Sequence, residues 1–352
     1  MYTKKRVLIL IVYHFIIATY FTNSYSQTNN YSSYYSAISK AELAILDSNY
    51  TESYFFYKKA FKTVSSGFAK DYFNAAICAA YAQDKNGVVS CFSQLALKGV
   101  SLAYLKEHLA WKYLKNDTIL AFFEKRIFEQ CRKKYLSEKN LLLKDKLLNI
   151  FHIDQDIILK KYPDAPKRHF NNIQTLDSLI NIYGFPSEDI IGVGDSLETS
   201  PSFLNILYND YAKYYEYNKF FNIVKMAAID GKLHPSLTAF YMSSLKPVFE
   251  LEATAVYKVS IDSSQVNDLN IKAKINKWVF PIYSESHLLK INNNRKEIGW
   301  EDFLSYQKKV IFNLKYPKFI FSLSGGASIY ICNQEYIAER YLANVDIIEG
   351  VK

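Results

Sequence analysis

The chain has 352 residues, with 43 Lys and Arg against 34 Asp and Glu, and 49% of its residues are hydrophobic. This length predicts two or three domains, and the apolar fraction is ample for packed cores, so extensive disorder is excluded. Four cysteines are too few for a small disulfide-stapled scaffold, and the single apolar run near membrane length excludes a polytopic membrane protein.

The N-terminus has the layout of a secretory signal peptide. Three basic residues at 4–6 precede an apolar run over 7–21, and small polar residues follow it. The run has 21 − 7 + 1 = 15 residues, whereas a membrane-spanning helix needs about 20 apolar residues. We therefore predict a signal peptide over 1–26, cleaved near Ser26–Gln27, and a periplasmic or secreted mature chain without a membrane span. An uncleaved anchor is the alternative.

Export changes how the positive charge is interpreted. Removal of residues 1–26 deletes three cations and no anions, so the mature chain carries 40 − 34 = +6. Nucleic acid is not normally present outside the cytoplasm, and we predict no nucleic-acid partner. The densest basic stretch, over 125–146, contains interleaved acidic residues, which is typical of a solvated helix face.

The N-terminal third predicts paired helices. Residues 35–62 form two helical patterns with a short break at 48–50. The second pattern resembles the second helix of a tetratricopeptide repeat, and the residues that carry the resemblance are Asn49-Tyr50, Ser53, Tyr57, Ala60 and Phe61. The small residue at position 53 would let the two helices of the hairpin approach closely.

A second copy of the pattern fits the same register. Ala76 corresponds to Ala41 at a spacing of 76 − 41 = 35 residues, close to the usual period of this repeat. The resemblance covers about 35–98, and residues 102–115 and 118–135 are predicted to continue the stack as a capping pair. It implies a concave surface that binds a peptide or a partner protein, and a helical spacer that supports the next domain is the alternative.

Two residue types in this chain invite a functional interpretation. Cys78 and Cys91 lie on successive predicted helices and are the expected pair for a disulfide, with buried free thiols as the alternative. The 30 Tyr accompany abundant Phe, Ile, Lys and Asn. That bias is expected from an AT-rich coding sequence, so it does not by itself predict a carbohydrate-binding surface.

The middle segment, about 145–245, has a distinctive local pattern, made up of Asp154-Gln155, Leu179-Ile180, Tyr183-Gly184, Pro186-Ser187, Val193-Gly194, Gly231-Lys232-Leu233 and Pro235. With these residues the segment resembles a domain of unknown function found in exported bacterial proteins. The family pattern has an Arg and a His-Ala-Asp triplet where this chain has Ile158 and Tyr208-Asn209-Asp210. The resemblance therefore implies an exported protein and transfers no activity. Helices are predicted at 172–183, from Ser200-Pro201, around 221–228 and from His234-Pro235.

Side chains that could carry chemistry concentrate in the same segment. The candidates for a catalytic site are Asp154, Gln155, Asp210 and His234. Histidine with carboxylates can perform general acid–base chemistry, although hydrogen bonding by Asp154 and Gln155 in a structural role is the alternative. His152, Asp154 and Asp156 would point in different directions on a helix, and we predict no metal site. No dinucleotide, phosphate-loop or nucleophile-elbow motif is complete, so no cofactor is predicted.

From about residue 253 the pattern changes from helical to extended. Strands are predicted at 256–261, 271–275, 319–322 and 328–332. A loop is predicted at 292–295 and a helix at 299–313. These elements predict a small α+β module.

The predicted fold class is mainly α, with tetratricopeptide-like hairpins over 27–137, a helical domain over 138–250 and an α+β module over 251–352. Because no catalytic constellation is complete, we predict a non-enzymatic scaffold for protein–protein interaction in the cell envelope, whose partner is another envelope protein. The alternative is an envelope enzyme resembling a hydrolase, with its site around Asp154, Asp210 and His234.

Overall fold

The structure is a computed structural model, and it describes residues 31–115, 117–197, 217–245 and 251–351. These residues are mainly helical, with a four-stranded mixed sheet near the C-terminus, which confirms the predicted fold class at this level. The predicted signal peptide, the helix from Ser200-Pro201 and the candidate Asp210 lie outside the described residues. Among the helices that are described, none has the length and apolar character needed to cross a membrane.

Helical hairpins form the N-terminal region. Helix α1 is described over 31–46, and α2 (Tyr50–Phe61), α3 (Ala69–Tyr81) and α4 (Lys85–Leu97) follow it. The side chains of Asn49 and Asp84 accept hydrogen bonds from the main-chain N–H groups of Glu52 and Gly87, and so cap α2 and α4. The predicted break at 48–50 is found at 47–49, one residue earlier, and Ser48 within it has a φ of 57°.

Small residues allow close approach within and between the hairpins. Ala41, Ala76 and Ser53 are fully buried, and Ser53 Oγ lies 3.2 Å from Cys78 Sγ on the neighbouring α3. This packing is compatible with the predicted helical repeats. Cys78 and Cys91 are buried free thiols, so the expected disulfide is not formed and the alternative holds.

The stack continues in shorter pieces than predicted. They are α5 (Leu102–Glu107), α6 (Leu109–Tyr113), α7 (Thr118–Phe122), a π-helical turn (Phe123–Ile127) and α8 (Phe128–Glu138). His108 separates α5 from α6, since its backbone is extended and its Nδ1 accepts a hydrogen bond from the Ala110 N–H. Its Nε2 lies 3.0 Å from the Phe73 carbonyl oxygen, which ties this break to α3.

The described residues of the middle region form a long hairpin and three further helices. Its elements are α9 (Leu141–Lys160), α10 (Ala165–Tyr183), α11 (Glu188–Ile191), α12 (Tyr217–Ile229) and α13 (Pro235–Leu245). The predicted end of α10 is confirmed at Gly184, whose φ of 77° favours glycine. Apolar side chains of α9, α10 and α12 join those of the C-terminal helices in one core.

The C-terminal module contains one mixed sheet of order β3-β1-β2-β4. Its strands are β1 (Val256–Ser260), β2 (Trp278–Pro281), β3 (Ala327–Ile331) and β4 (Val345–Ile347). β1 runs parallel to β3 and antiparallel to β2, and β2 is antiparallel to β4. The helices of the module are α14 (Leu269–Lys274), α15 (Glu285–Glu297), α16 (Phe303–Lys315) and α17 (Glu335–Leu342).

Three sequence predictions for this module are wrong. Residues 271–275 fall in and just after α14, because Asp268 caps that helix and the buried Ile271 and Ile275 are four residues apart on one helical face. Residues 292–295 lie inside α15, where Asn292 Oδ1 accepts a hydrogen bond from the Phe303 N–H. Residues 319–322 form no strand. The Ile320 carbonyl accepts a hydrogen bond from the side chain of Asn74 on α3 and not from a neighbouring strand.

Candidate functional site

Two of the predicted site residues, Asp154 and Gln155, are neighbours on α9. The Asp154 carboxylate is fully buried, with His169 Nδ1 on α10 at 3.2 Å from Oδ1 and Gln155 Nε2 donating to Oδ2 at 3.2 Å. The contacts of Asp154 join the two helices of the long hairpin. They agree with the structural alternative for these residues.

The other polar side chains of this stretch face a shallow groove. His152, Gln155 and Asp156 line it, together with Tyr162 and Arg168, and its volume is about 540 Å³. Asp156 is paired with Lys160 one helical turn away. In the part of the chain that the structure describes, no group of three or more His, Cys, Asp or Glu is placed to hold a metal ion.

His234 lies in a different environment, at the start of α13. Its Nδ1 accepts a hydrogen bond from the Ser236 N–H at 3.2 Å, and its ring packs edge-to-face on Tyr35 and Phe68. Burial lowers the pKa of His234 to about 3, and the charge of Lys70 acts in the same direction. The neutral imidazole caps the helix and packs against α1. A shared site for Asp154, Asp210 and His234 stays a prediction.

The N-terminal hairpins contact the C-terminal part of the chain through polar side chains. Ser39 on α1 and Asn74 on α3, which are 74 − 39 = 35 residues apart, both take part. Ser39 Oγ donates to Glu301 Oε2 at 2.6 Å. Asn74 Nδ2 donates to the Ile320 carbonyl at 3.2 Å, and its Oδ1 accepts from the Ile320 N–H at 2.9 Å. Glu301 and Ile320 are therefore bound to the first and third helices of the N-terminal hairpins.

A buried ionic cluster holds this packing in place. Lys309 on α16 is 2% exposed, and its ammonium group contacts the carboxylates of Glu42 on α1 and Glu301. Burial opposes the charge on Lys309, but the two carboxylates outweigh it and hold the pKa of Lys309 above its ordinary value. Removal of one of these charged groups would leave the others buried without a full set of partners, at a cost of about 3–5 kcal/mol, so the packing of α16 on α1 depends on all three being present.

The middle region also contacts the repeats. Lys98 at the end of α4 is buried and pairs with Asp189 at 2.9 Å and Glu188 at 3.4 Å. Glu188 accepts a hydrogen bond from the Ala69 N–H at the start of α3. The repeats thus contact both of the other regions through buried polar groups.

Strand β3 offers a surface that nothing in the described residues covers. It forms one edge of the sheet, and β1 is its neighbour on the other side. The Val256 N–H donates to the Gly326 carbonyl and the Cys332 N–H donates to the Ser260 carbonyl. Even-numbered residues of β3 therefore direct their main-chain groups towards β1, and Ile329 and Ile331 direct theirs outwards.

The side chains of the outward-directed residues are apolar and exposed. Ile329 is 60% exposed and Ile331 is 88% exposed. An edge strand with free main-chain groups and apolar side chains is a template for another extended chain. The sequence predicted this strand at 328–332 but carried no signal that it forms an edge, since edge position depends on which strands pair.

No family model, no curated protein and no solved structure matches the chain. The resemblances to tetratricopeptide repeats and to a domain of exported bacterial proteins therefore rest on the residues that carry them. The function has to be inferred from the geometry of the chain itself.

Proposed function

We propose that this protein is an exported, non-enzymatic scaffold of the cell envelope that binds another envelope protein along the outer edge of β3. The observation that carries the proposal is the outer edge of β3, which pairs with no strand among the described residues and carries the exposed Ile329 and Ile331. A partner strand added there would gain main-chain hydrogen bonds, each worth about 0.5–1.5 kcal/mol net, and would cover both isoleucines.

The repeats have a supporting role in this proposal. Their tetratricopeptide-like hairpins already contact α16 and residues 319–321, and Lys309 on α16 is bound to Glu42 on α1. This favours the helical-spacer alternative for the repeats. The partner is then expected on the outward surface of the C-terminal module.

The proposal is tested by removing one outward N–H from β3. The Ile329→Pro variant lacks the N–H group that a partner strand would use, whereas the pairing with β1 uses even-numbered residues. Ile329→Thr is the matched control, because it keeps the N–H and a β-branched side chain. Circular dichroism should show the same helical content for both variants.

The assay is capture of binding proteins from an envelope fraction of the source cell. We expect the wild type and Ile329→Thr to capture the same envelope protein, and Ile329→Pro to lose it by about tenfold or more. Equal capture by Ile329→Pro, or no capture above background by the wild type, contradicts the proposal. Self-association of the wild type that Ile329→Pro abolishes would assign the edge to a second copy of this chain instead.

Export is the second part of the proposal, supported by the basic and apolar N-terminal segments. We expect protein produced in a bacterial host to begin at Gln27. N-terminal sequencing checks this, and a start at Met1 with retention in the membrane fraction would make residues 7–21 an anchor.

A further inference from the structure

The C-terminal module contains a cleft on the face of the sheet opposite to Ile329 and Ile331. The cleft has a volume of about 550 Å³, which falls within the range of about 300–1,000 Å³ usual for small-molecule sites. Four tyrosines line it, and they are Tyr257, Tyr283, Tyr330 and Tyr341. Tyr257 and Tyr330 come from the neighbouring strands β1 and β3 and share one face, as the strand register requires.

The tyrosine rings are held in fixed positions. Tyr257 Oη donates to the Tyr341 carbonyl at 2.6 Å, and the rings of Tyr330 and Tyr341 stack with centroids 4.6 Å apart. On the other side, Tyr283 stacks on His287 with centroids 4.8 Å apart. Flat rings that are already immobilised lose little conformational entropy when a ligand contacts them.

Two opposite charges line the same cleft. They belong to the lining residues Glu252 and Arg340, and no ion pair joins these two side chains within the described ranges. Tyr283 Oη donates to Glu252 Oε2 at 3.2 Å, which leaves further acceptor positions on this carboxylate. The Asn344 amide, which both donates and accepts, lies on the same lining.

A buried arginine binds the main chain at Glu252. Arg295 is fully buried and donates to the carbonyl groups of Leu251, at 2.8 Å, and of Glu252, at 2.9 Å. Its guanidinium group also lies 3.5 Å from the ring centroid of Trp300. Glu252 itself has a φ of 46°, a conformation that non-glycine residues rarely adopt. Surrounding contacts therefore hold the carboxylate of Glu252 at the cleft in a strained backbone conformation.

We propose that this cleft binds a saccharide. The flat faces of the tyrosine rings would cover the C–H face of a pyranose ring, while its hydroxyl groups donate to Glu252 and accept from Arg340. Each hydroxyl group is both donor and acceptor, so a neutral polyhydroxyl ligand satisfies both charged side chains at once. An apolar ligand would bury the two charges without partners, and an ion of one sign would satisfy only one of them.

The experiment measures binding of soluble trisaccharides to the mature chain by saturation-transfer NMR and calorimetry. The probes are cellotriose, chitotriose and maltotriose, with the zwitterionic dipeptide glycylglycine as a competing ligand class. We expect at least one trisaccharide to bind with a 1:1 stoichiometry and to receive magnetisation from tyrosine protons. We expect Tyr341→Ala and Arg340→Met to weaken this binding by about tenfold or more.

The matched control is Tyr336→Ala, which lies on the same helix, α17, with a side chain that is exposed and outside the cleft. It should bind as the wild type does. The proposal is overturned if no trisaccharide binds at millimolar concentration, if Tyr341→Ala binds as well as Tyr336→Ala, or if only glycylglycine binds. Ile329→Pro should keep saccharide binding, since its outward N–H is on the strand edge, so failure of the envelope-partner proposal is seen separately.

Discussion

Replacing Lys309 with methionine tests whether the buried ionic cluster holds the C-terminal module on the repeats. The change keeps an unbranched side chain of similar length and removes the ammonium group. It leaves the carboxylates of Glu42 and Glu301, whose side chains are 6% and 10% exposed, buried beside each other. Removal of one partner from a buried pair costs about 3–5 kcal/mol. This is a large part of a typical total stability of about 5–15 kcal/mol.

The loss of stability caused by Lys309→Met should depend on pH. Burial already raises the pKa of Glu42, and Lys309 acts against that rise. Without Lys309 the folded-state pKa of Glu42 rises further. In the variant, protonated Glu42 therefore stabilises the fold fully below its unfolded-state pKa, and this stabilisation is lost as pH rises through the folded-state pKa. The difference between wild type and Lys309→Met should therefore be smaller at acid pH than at alkaline pH.

Urea unfolding of the wild type and Lys309→Met, followed by circular dichroism at several pH values from acid to alkaline, measures the difference in stability. The matched control is Lys112→Met, which removes an exposed partner of Glu107 and should leave the midpoint unchanged. A Lys309→Met midpoint equal to that of the wild type at alkaline pH would refute the reasoning. A variant with Lys309→Met and Glu42→Gln together should recover part of the loss.

Three further predictions concern other buried groups. Burial raises the pKa of Asp71 to about 8, so the wild type should lose stability as pH rises through that value, and urea midpoints of Asp71→Asn should fall less between acid and alkaline pH. Ala76→Leu overfills the contact between hairpins and should cost about 1–3 kcal/mol, measured as a lower thermal midpoint. Burial raises the pKa of the Cys78 thiol to about 12, so this thiol should react with a thiol reagent only after denaturation, and fast reaction in the native protein would contradict its burial.

Local signals made the helical hairpins predictable. The break at 47–49 and the caps at Asn49 and Asp84 are encoded within a few residues of the helices that they end or begin. The small residues Ala41 and Ala76 indicate where two helices contact each other, because only short side chains allow the helices to approach closely. Such features do not depend on the rest of the fold.

Short apolar patterns were ambiguous for a physical reason. Ile271 and Ile275 are four residues apart, and that spacing fits one face of a strand as well as one face of a helix. The cap supplied by Asp268 and burial against α17 favoured the helix. Residues 292–295 carry an Asn run typical of loops, yet Asn292 and Arg295 each bond to residues elsewhere in the chain and the helix continues.

The sequence by itself determined the helical character of the chain, the hairpins of its N-terminal third and two of the strands, β1 and β3. Only the tertiary structure decided which part of the chain packs against the N-terminal hairpins, because Glu42 and Lys309 are 267 residues apart in the sequence. The same is true of the tyrosine cleft, whose rings come from β1, β3, α17 and the loop before α15, and of the edge position of β3 among the described strands. Local propensities set the elements, whereas burial of charge and pairing of strands join distant residues and depend on the whole chain.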